Sequence, residues 1–270
     1  MPEMSELYSP PVDRLLTLGE GPARAHPWPD YLEFGLHQEH VPDLIRMVTD
    51  DTLLWADSDS PEVWATIHAW RALGQLRAEE AVQPLVDLLP EVEDSDWAME
   101  ELPVVFRMIG PPAMQALSTY AADSANELWT RIAAARGLRE IVEEHPGVRD
   151  EVVAVLIQIL EKWYRNDETL NAFLIHDLVE LRATEAAPLM EQVFAEGRVD
   201  LAVRGDWEDV QVDLGLLPER RTPRPRFLGA PRWGRDAPQP ARRSGGKAKA
   251  KVNTKRKMAA QSRKRNRRRK

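Results

Sequence analysis

The chain has 270 residues, no cysteine and a formal charge of −8. That charge is a cancellation: residues 1–218 carry 15 Arg/Lys against 42 Asp/Glu, whereas residues 219–270 carry 21 against 2. The lack of cysteine excludes a disulfide framework, thiolate zinc or iron–sulfur sites and a cysteine nucleophile, and no apolar run approaches the ~18 residues that cross a bilayer.

Residues 1–27 read as an irregular N-terminal arm around one short helix over Val12–Leu18. The opening MPEMSELYSPPVDRLL holds early acids, adjacent prolines and no signal-peptide stretch, so a cytoplasmic protein without membrane contact is expected. From residue 28 to 217 the apolar residues recur at the helical spacing. Val41, Leu44, Ile45 and Val48 form one stripe, and Ile132, Ala135, Leu138 and Val142 another. Val152, Val155, Leu156, Ile159, Leu160 and Trp163 form a third. Ser60-Pro61 predicts an N-cap followed by proline in the first turn. Asp94 or Ser95 caps the next helix. Gly110-Pro111-Pro112 and His145-Pro146-Gly147 each stop one helix and start another.

Two segments repeat. Residues 76–82 read LRAEEAV and residues 181–187 read LRATEAA, an offset of 105, or three periods of 35. Residues 110–117 supply a weaker copy between them. The unit is a helix A, a tight turn and a helix B. The A helices are expected at 61–76, 96–109, 126–144 and 168–182, the B helices at 79–89, 112–122, 148–164 and 184–195, and a closing helix at 206–215. A lone helix pair cannot bury its stripe, so pairs stack into a continuous core. The fold class is all-α: an α-solenoid of about four to five helix pairs.

Residues 72–89, ALGQLRAEEAVQPLVDLL, resemble the HEAT-like repeat of phycobilisome lyases, and residues 108–117, MIGPPAMQAL, resemble a degenerate second copy. The segments SPPVDRLLTLGE, WPDYLEFGL, ADSDSPEVWATIHAWRALGQL and GDWEDVQVDLGL resemble a bacterial family of HEAT-repeat proteins. That family often carries a C-terminal cysteine-rich zinc module like the one ending the SecA ATPase. This chain has no cysteine and ends in a Lys/Arg tail instead. The resemblance therefore implies the solenoid and transfers no catalytic residue. Some HEAT-like solenoids are DNA glycosylases that grip phosphates with a basic face, which a body this acidic would repel.

No residue pattern argues for a metal or cofactor. His37 and His40 share a helical face but have no third ligand nearby, so they read as surface histidines. His68 and His176 lie among apolar residues of A helices and read as core or groove histidines. In Asp57-Ser58-Asp59 the calcium-loop pattern fails at Pro61 and Glu62, and capping explains both this triplet and Asp94-Ser95-Asp96. No phosphate loop or nucleophile arrangement is present, so the protein is read as a non-enzyme. Eight of nine tryptophans fall in the body. Most are expected in the core, but Trp64 and Trp70 lie too far apart to share one helix face, so one of them is a candidate protein-binding anchor.

Residues 218–246 hold six prolines and four glycines and read as a flexible linker. Residues 247–270 contain no acid and no aromatic, and read as a disordered Lys/Arg tail. Lys255, Arg256, Lys257, Arg263, Lys264, Arg265, Arg267, Arg268, Arg269 and Lys270 are the expected nucleic-acid contacts, with RNA or the ribosome ahead of DNA. Without aromatics to stack on bases, such contact is electrostatic and sequence-tolerant. The alternatives are a tail folded back on the acidic body, a nuclear-import signal in a eukaryotic source, or a solubilising extension. The expectation is a monomeric adaptor: the solenoid binds a protein and the tail anchors to nucleic acid. The rival is an enzyme accessory, such as a lyase-like chaperone for a cofactor-bearing protein.

Overall fold

A computed structural model describes residues 7–21, 27–57 and 59–224. Among them the regular structure is helical throughout, with no strand. The helices are α1 (Val41–Val48), α2 (Asp51–Leu54), α3 (Ala65–Gln75), α4 (Val82–Leu88), α5 (Asp96–Ile109), α6 (Met114–Ala122), α7 (Leu128–Glu144), α8 (Arg149–Leu160), α9 (Glu168–Glu180), α10 (Ala187–Ala195), α11 (Leu201–Arg204) and α12 (Trp207–Asp213). None is long and apolar enough to cross a membrane.

The caps follow the sequence. Ser60 Oγ accepts the Glu62 amide at 3.3 Å ahead of the Pro61–Trp64 3-10 turn that leads into α3. Ser95 Oγ, and not Asp94, caps α5 by accepting the Ala98 amide. The repeated LRA segments fold alike. After α3, Arg77 takes φ 52° and the Ala78 amide bonds back to the Leu73 carbonyl. After α9, Arg182 takes φ 55° and the Ala183 amide bonds to the Leu178 carbonyl. This is the Schellman C-cap, built here on arginine instead of glycine. Each B helix then begins with a 3-10 turn: Glu79–Ala81 before α4, Pro111–Ala113 before α6, Pro146–Val148 before α8 and Thr184–Ala186 before α10.

The packing divides into two units, the first ending at Ala113 and the second beginning at Met114. In the first, α3 lies between α1 and α5. A Cβ on Gly74 would sit 3.2 Å from Met108 Sδ and 3.4 Å from the Val105 Cα, which shows how closely α3 and α5 approach. The N-terminal arm contributes to this core: Val12–Leu16 forms a 3-10 helix, and Tyr8, Val12, Leu15 and Leu16 are buried. In the second unit α7 packs on α9, α9 packs on α11, and α6 and α8 cover the other side of the layer.

One expected boundary moves and one helix is added. α8 stops at Leu160, short of residue 164, because Asn166 Nδ2 takes the Ile159 carbonyl at 3.0 Å and Asn171 Nδ2 takes that of Trp163 at 3.1 Å. Those side chains satisfy carbonyls that a longer helix would have used. α11 was not legible as a helix; it is one turn, capped by Asp200.

Candidate interaction surface

Each unit buries an arginine–carboxylate pair between successive A helices. In the first, Arg71 Nε and Nη2 of α3 donate to Glu101 Oε2 and Oε1 of α5 at 2.8 and 2.6 Å. Trp70 Nε1 donates to the same Oε2 at 3.0 Å. The Arg71 guanidinium lies 5.2 Å from the Trp28 ring centre and 5.6 Å from that of Trp97. Beside them Nε2 of His68 meets the Gly19 carbonyl at 2.8 Å, so it carries the proton, and Nδ1 accepts from the Tyr31 hydroxyl at 2.7 Å. This is a neutral histidine, and burial pushes its pKa down to about 4.

This arrangement corrects the expected protein-binding anchors. Trp64 is 7% exposed and Trp70 2%. Trp64 meets the Trp97 ring edge-on at 5.5 Å, and Trp70 spends its indole N–H on Glu101. Helical spacing showed that the two cannot share a face, but it did not show that α3 is covered on both sides.

Among the described residues two aromatics are exposed, both in the second unit: Tyr164, just after α8, at 57%, and, at the start of α7, Trp129 at 54%. Its ring meets Phe173 of α9 edge-on at 6.1 Å. Phe173, His176 and Glu180 are half-buried and lie on one face of α9. Along that face Arg204 Nη1 donates to His176 Nδ1 at 2.8 Å and to Glu180 Oε1 at 3.0 Å, while Nη2 donates to Asp213 Oδ2 at 3.1 Å. Burial, reinforced by Arg204, lowers the His176 pKa to about 4. Beneath, Arg139 Nε of α7 donates to Asp177 Oδ1 at 3.1 Å. The other Asp177 oxygen has no partner among the described residues, and burial lifts the pKa of this acid to about 7 despite Arg139. At 2% exposure, Asp177 orders α7 against α9 and does not present an acid to a substrate.

A third feature lies at the C-terminal end of the described chain. Arg220 grips both carboxylate oxygens of Asp206, with Nη2 at 2.8 Å from Oδ2, and its Nη1 is 2.9 Å from Asp209 Oδ1. Arg224 Nε and Nη2 converge on Asp209 Oδ1 at 3.0 and 2.7 Å. Glu208 Oε2 accepts the amides of Arg221 and Thr222 and the Thr222 hydroxyl, at 3.2, 3.0 and 2.8 Å. The Arg220 hydrogen bond holds Asp206 below the usual carboxylate range, and the Thr222 amide does the same for Glu208. Residues 218–224, expected as free linker, are thus tied to α12. Composition showed that this segment lacks apolar residues, but not that its arginines meet acids 11 to 15 residues earlier.

The remaining sequence candidates are structural. His40 Nδ1 accepts the His37 amide at 3.0 Å, a capping contact. Asp57 Oδ1 accepts the Asp59 amide at 2.9 Å, a turn contact. Among the described residues no cluster of three or more His, Asp or Glu suits a metal ion. The expected nucleic-acid contacts at 255–270 lie outside the described residues.

Residues 69–89 match the family model described as PBS lyase HEAT-like repeat. The chain carries a HEAT-like repeat there, within an all-helical fold. The match covers α3 from Ala69 onward, its arginine C-cap and α4, so the HEAT-like signature is the same segment that turns at Arg77. No curated protein and no solved structure matches the chain. The HEAT-like fold supports a repeat scaffold or protein-interaction role.

Proposed function

We propose that this HEAT-like protein is a non-enzymatic, monomeric adaptor. Its acidic helical body binds a protein partner, and its basic C-terminal segment anchors it to nucleic acid, RNA or the ribosome before DNA. The observation that carries this reading is the division of charge, 15 Arg/Lys against 42 acids up to residue 218 and 21 against 2 beyond it. A cation-rich, acid-free run releases condensed counterions when it meets phosphates. On the body, Trp129 is the best-placed anchor: an exposed ring backed by the half-buried Phe173 beside a charged helix face.

The test uses the full chain and a variant with Lys255, Arg256, Lys257, Arg263, Lys264, Arg265, Arg267, Arg268, Arg269 and Lys270 changed to glutamine. The parent should co-sediment with ribosomes or retain RNA at low salt, and the variant should not. Equal retention refutes the anchor. Trp129→Ala should keep RNA retention and lose the protein partner after nuclease treatment.

A second reading draws on the half-buried His176 and Glu180 converging with Arg204. It makes the protein an enzyme accessory, such as a lyase-like chaperone for a cofactor-bearing protein. Function that survives neutralisation of the tail but fails in His176→Ala would favour it.

A further inference from the structure

We propose that Glu219–Arg224 is an electrostatic latch, closed on the acidic start of α12 in the free protein and opened when a polyanion takes up its arginines. The inference rests on the nucleic-acid reading above for the identity of the opener; the latch itself rests on geometry.

Three observations carry it. First, the contact is made of charge and hydrogen bonds alone. Residues 218, 219 and 221–224 are exposed, and Arg220 is the one member of this segment that is half-buried. With no apolar burial to hold it, the segment stays down through ion pairs, which a competing anion and added salt both weaken. Second, the receptor is held from the other side. The Arg182 side chain donates to the Asp213 carbonyl, and Arg204 to the Asp213 carboxylate. α12 is therefore fixed to the α9 end of the unit, and the mobile partner in any exchange is the arginine segment. Third, the fit is specific in geometry. Arg220 is bidentate on Asp206, and two successive amides with a hydroxyl converge on one oxygen of Glu208. Bidentate guanidinium–carboxylate pairing is the same recognition that phosphate oxygens offer, so carboxylate and phosphate compete for one fork.

The latch sets the starting cost of polyanion binding. While Arg220 and Arg224 are seated on Asp206 and Asp209, they are unavailable to phosphate. Opening them exposes three carboxylates on α12 and frees the arginines together.

The experiment follows hydrogen exchange of the Arg221 and Thr222 amides in the full chain, with poly(U) as the probe. Both amides should be protected at low salt, lose protection as salt rises, and lose it on saturation with poly(U). Retained protection at saturating poly(U) overturns the latch and leaves the nucleic-acid reading intact. Absence of poly(U) binding by the parent overturns that reading, and the release step with it. Affinity gives a second measure through Glu208→Gln, which spares the α12 caps Asp206 and Asp209. It should tighten poly(U) binding roughly two- to fivefold, the range an exposed ion-pair contact spans. Glu151→Gln on α8 makes the same charge change and should tighten it less. Equal tightening by both variants means bulk charge and not a latch.

Discussion

Arg71 and Glu101 are almost fully excluded from solvent, at 0% and 2% exposure. Two desolvated charges gain little net stability as a pair, but removing one leaves the other uncompensated. Glu101→Ala should therefore cost about 3–5 kcal/mol in urea denaturation, and replacing both residues with apolar ones should recover much of that loss. A single substitution with no measurable cost would contradict the burial described here. His68 gives a pH dependence of defined sign. Its pKa falls from 6.5 in the unfolded chain to about 4 in the fold, so the unfolded state binds the extra proton in that window. Stability should fall as pH drops from 6.5 towards 4, by up to about 1.4 kcal/mol per unit, and His68→Gln should flatten that slope. Asp177 works in the opposite direction. Its pKa rises from 3.8 to about 7, so its contribution is present at low pH and lost as pH rises through that range. Asp177→Asn should make the acid-side loss of stability steeper than in the parent, as read from denaturation midpoints across pH.

At the scale of elements, the helix pairs were legible because caps and apolar stripes are local signals. α5 occupies residues 96–109, as Ser95 and the Gly110-Pro111-Pro112 stop predict, and the LRA repeat marks two equivalent turns. The interaction surface was less legible because exposure is a tertiary property. Trp64, Trp70 and Trp129 look alike in sequence; α3 is enclosed by α1 and α5, whereas the start of α7 leaves Trp129 open. The Arg71–Glu101 and Arg139–Asp177 pairs were likewise invisible, since charged residues 30 and 38 apart carry no local sign of contact. The turns offer a test at this scale. Arg77 is exposed and pays the left-handed penalty for a residue with a Cβ. Arg77→Gly should stabilise the chain by up to about 1 kcal/mol. Arg182→Gly should gain less, because it also removes the bond to the Asp213 carbonyl. Thermal melts of the two variants decide this; destabilisation by Arg77→Gly would contradict the cap.

For the whole molecule, the organising fact is the charge boundary near residue 218. It does not coincide with the end of ordered contact, because Arg220 and Arg224 reach back to α12. Acidic body and basic segment are thus joined by a contact between their own opposite charges, and any anionic partner must compete with it. The most direct test of the adaptor account is the salt dependence of poly(U) affinity for the full chain. Engagement of about ten phosphates predicts a log–log slope of roughly −7, and neutralising the cations of residues 255–270 should make the slope much shallower. A shallow slope in the parent, or one unchanged by that neutralisation, would contradict the account.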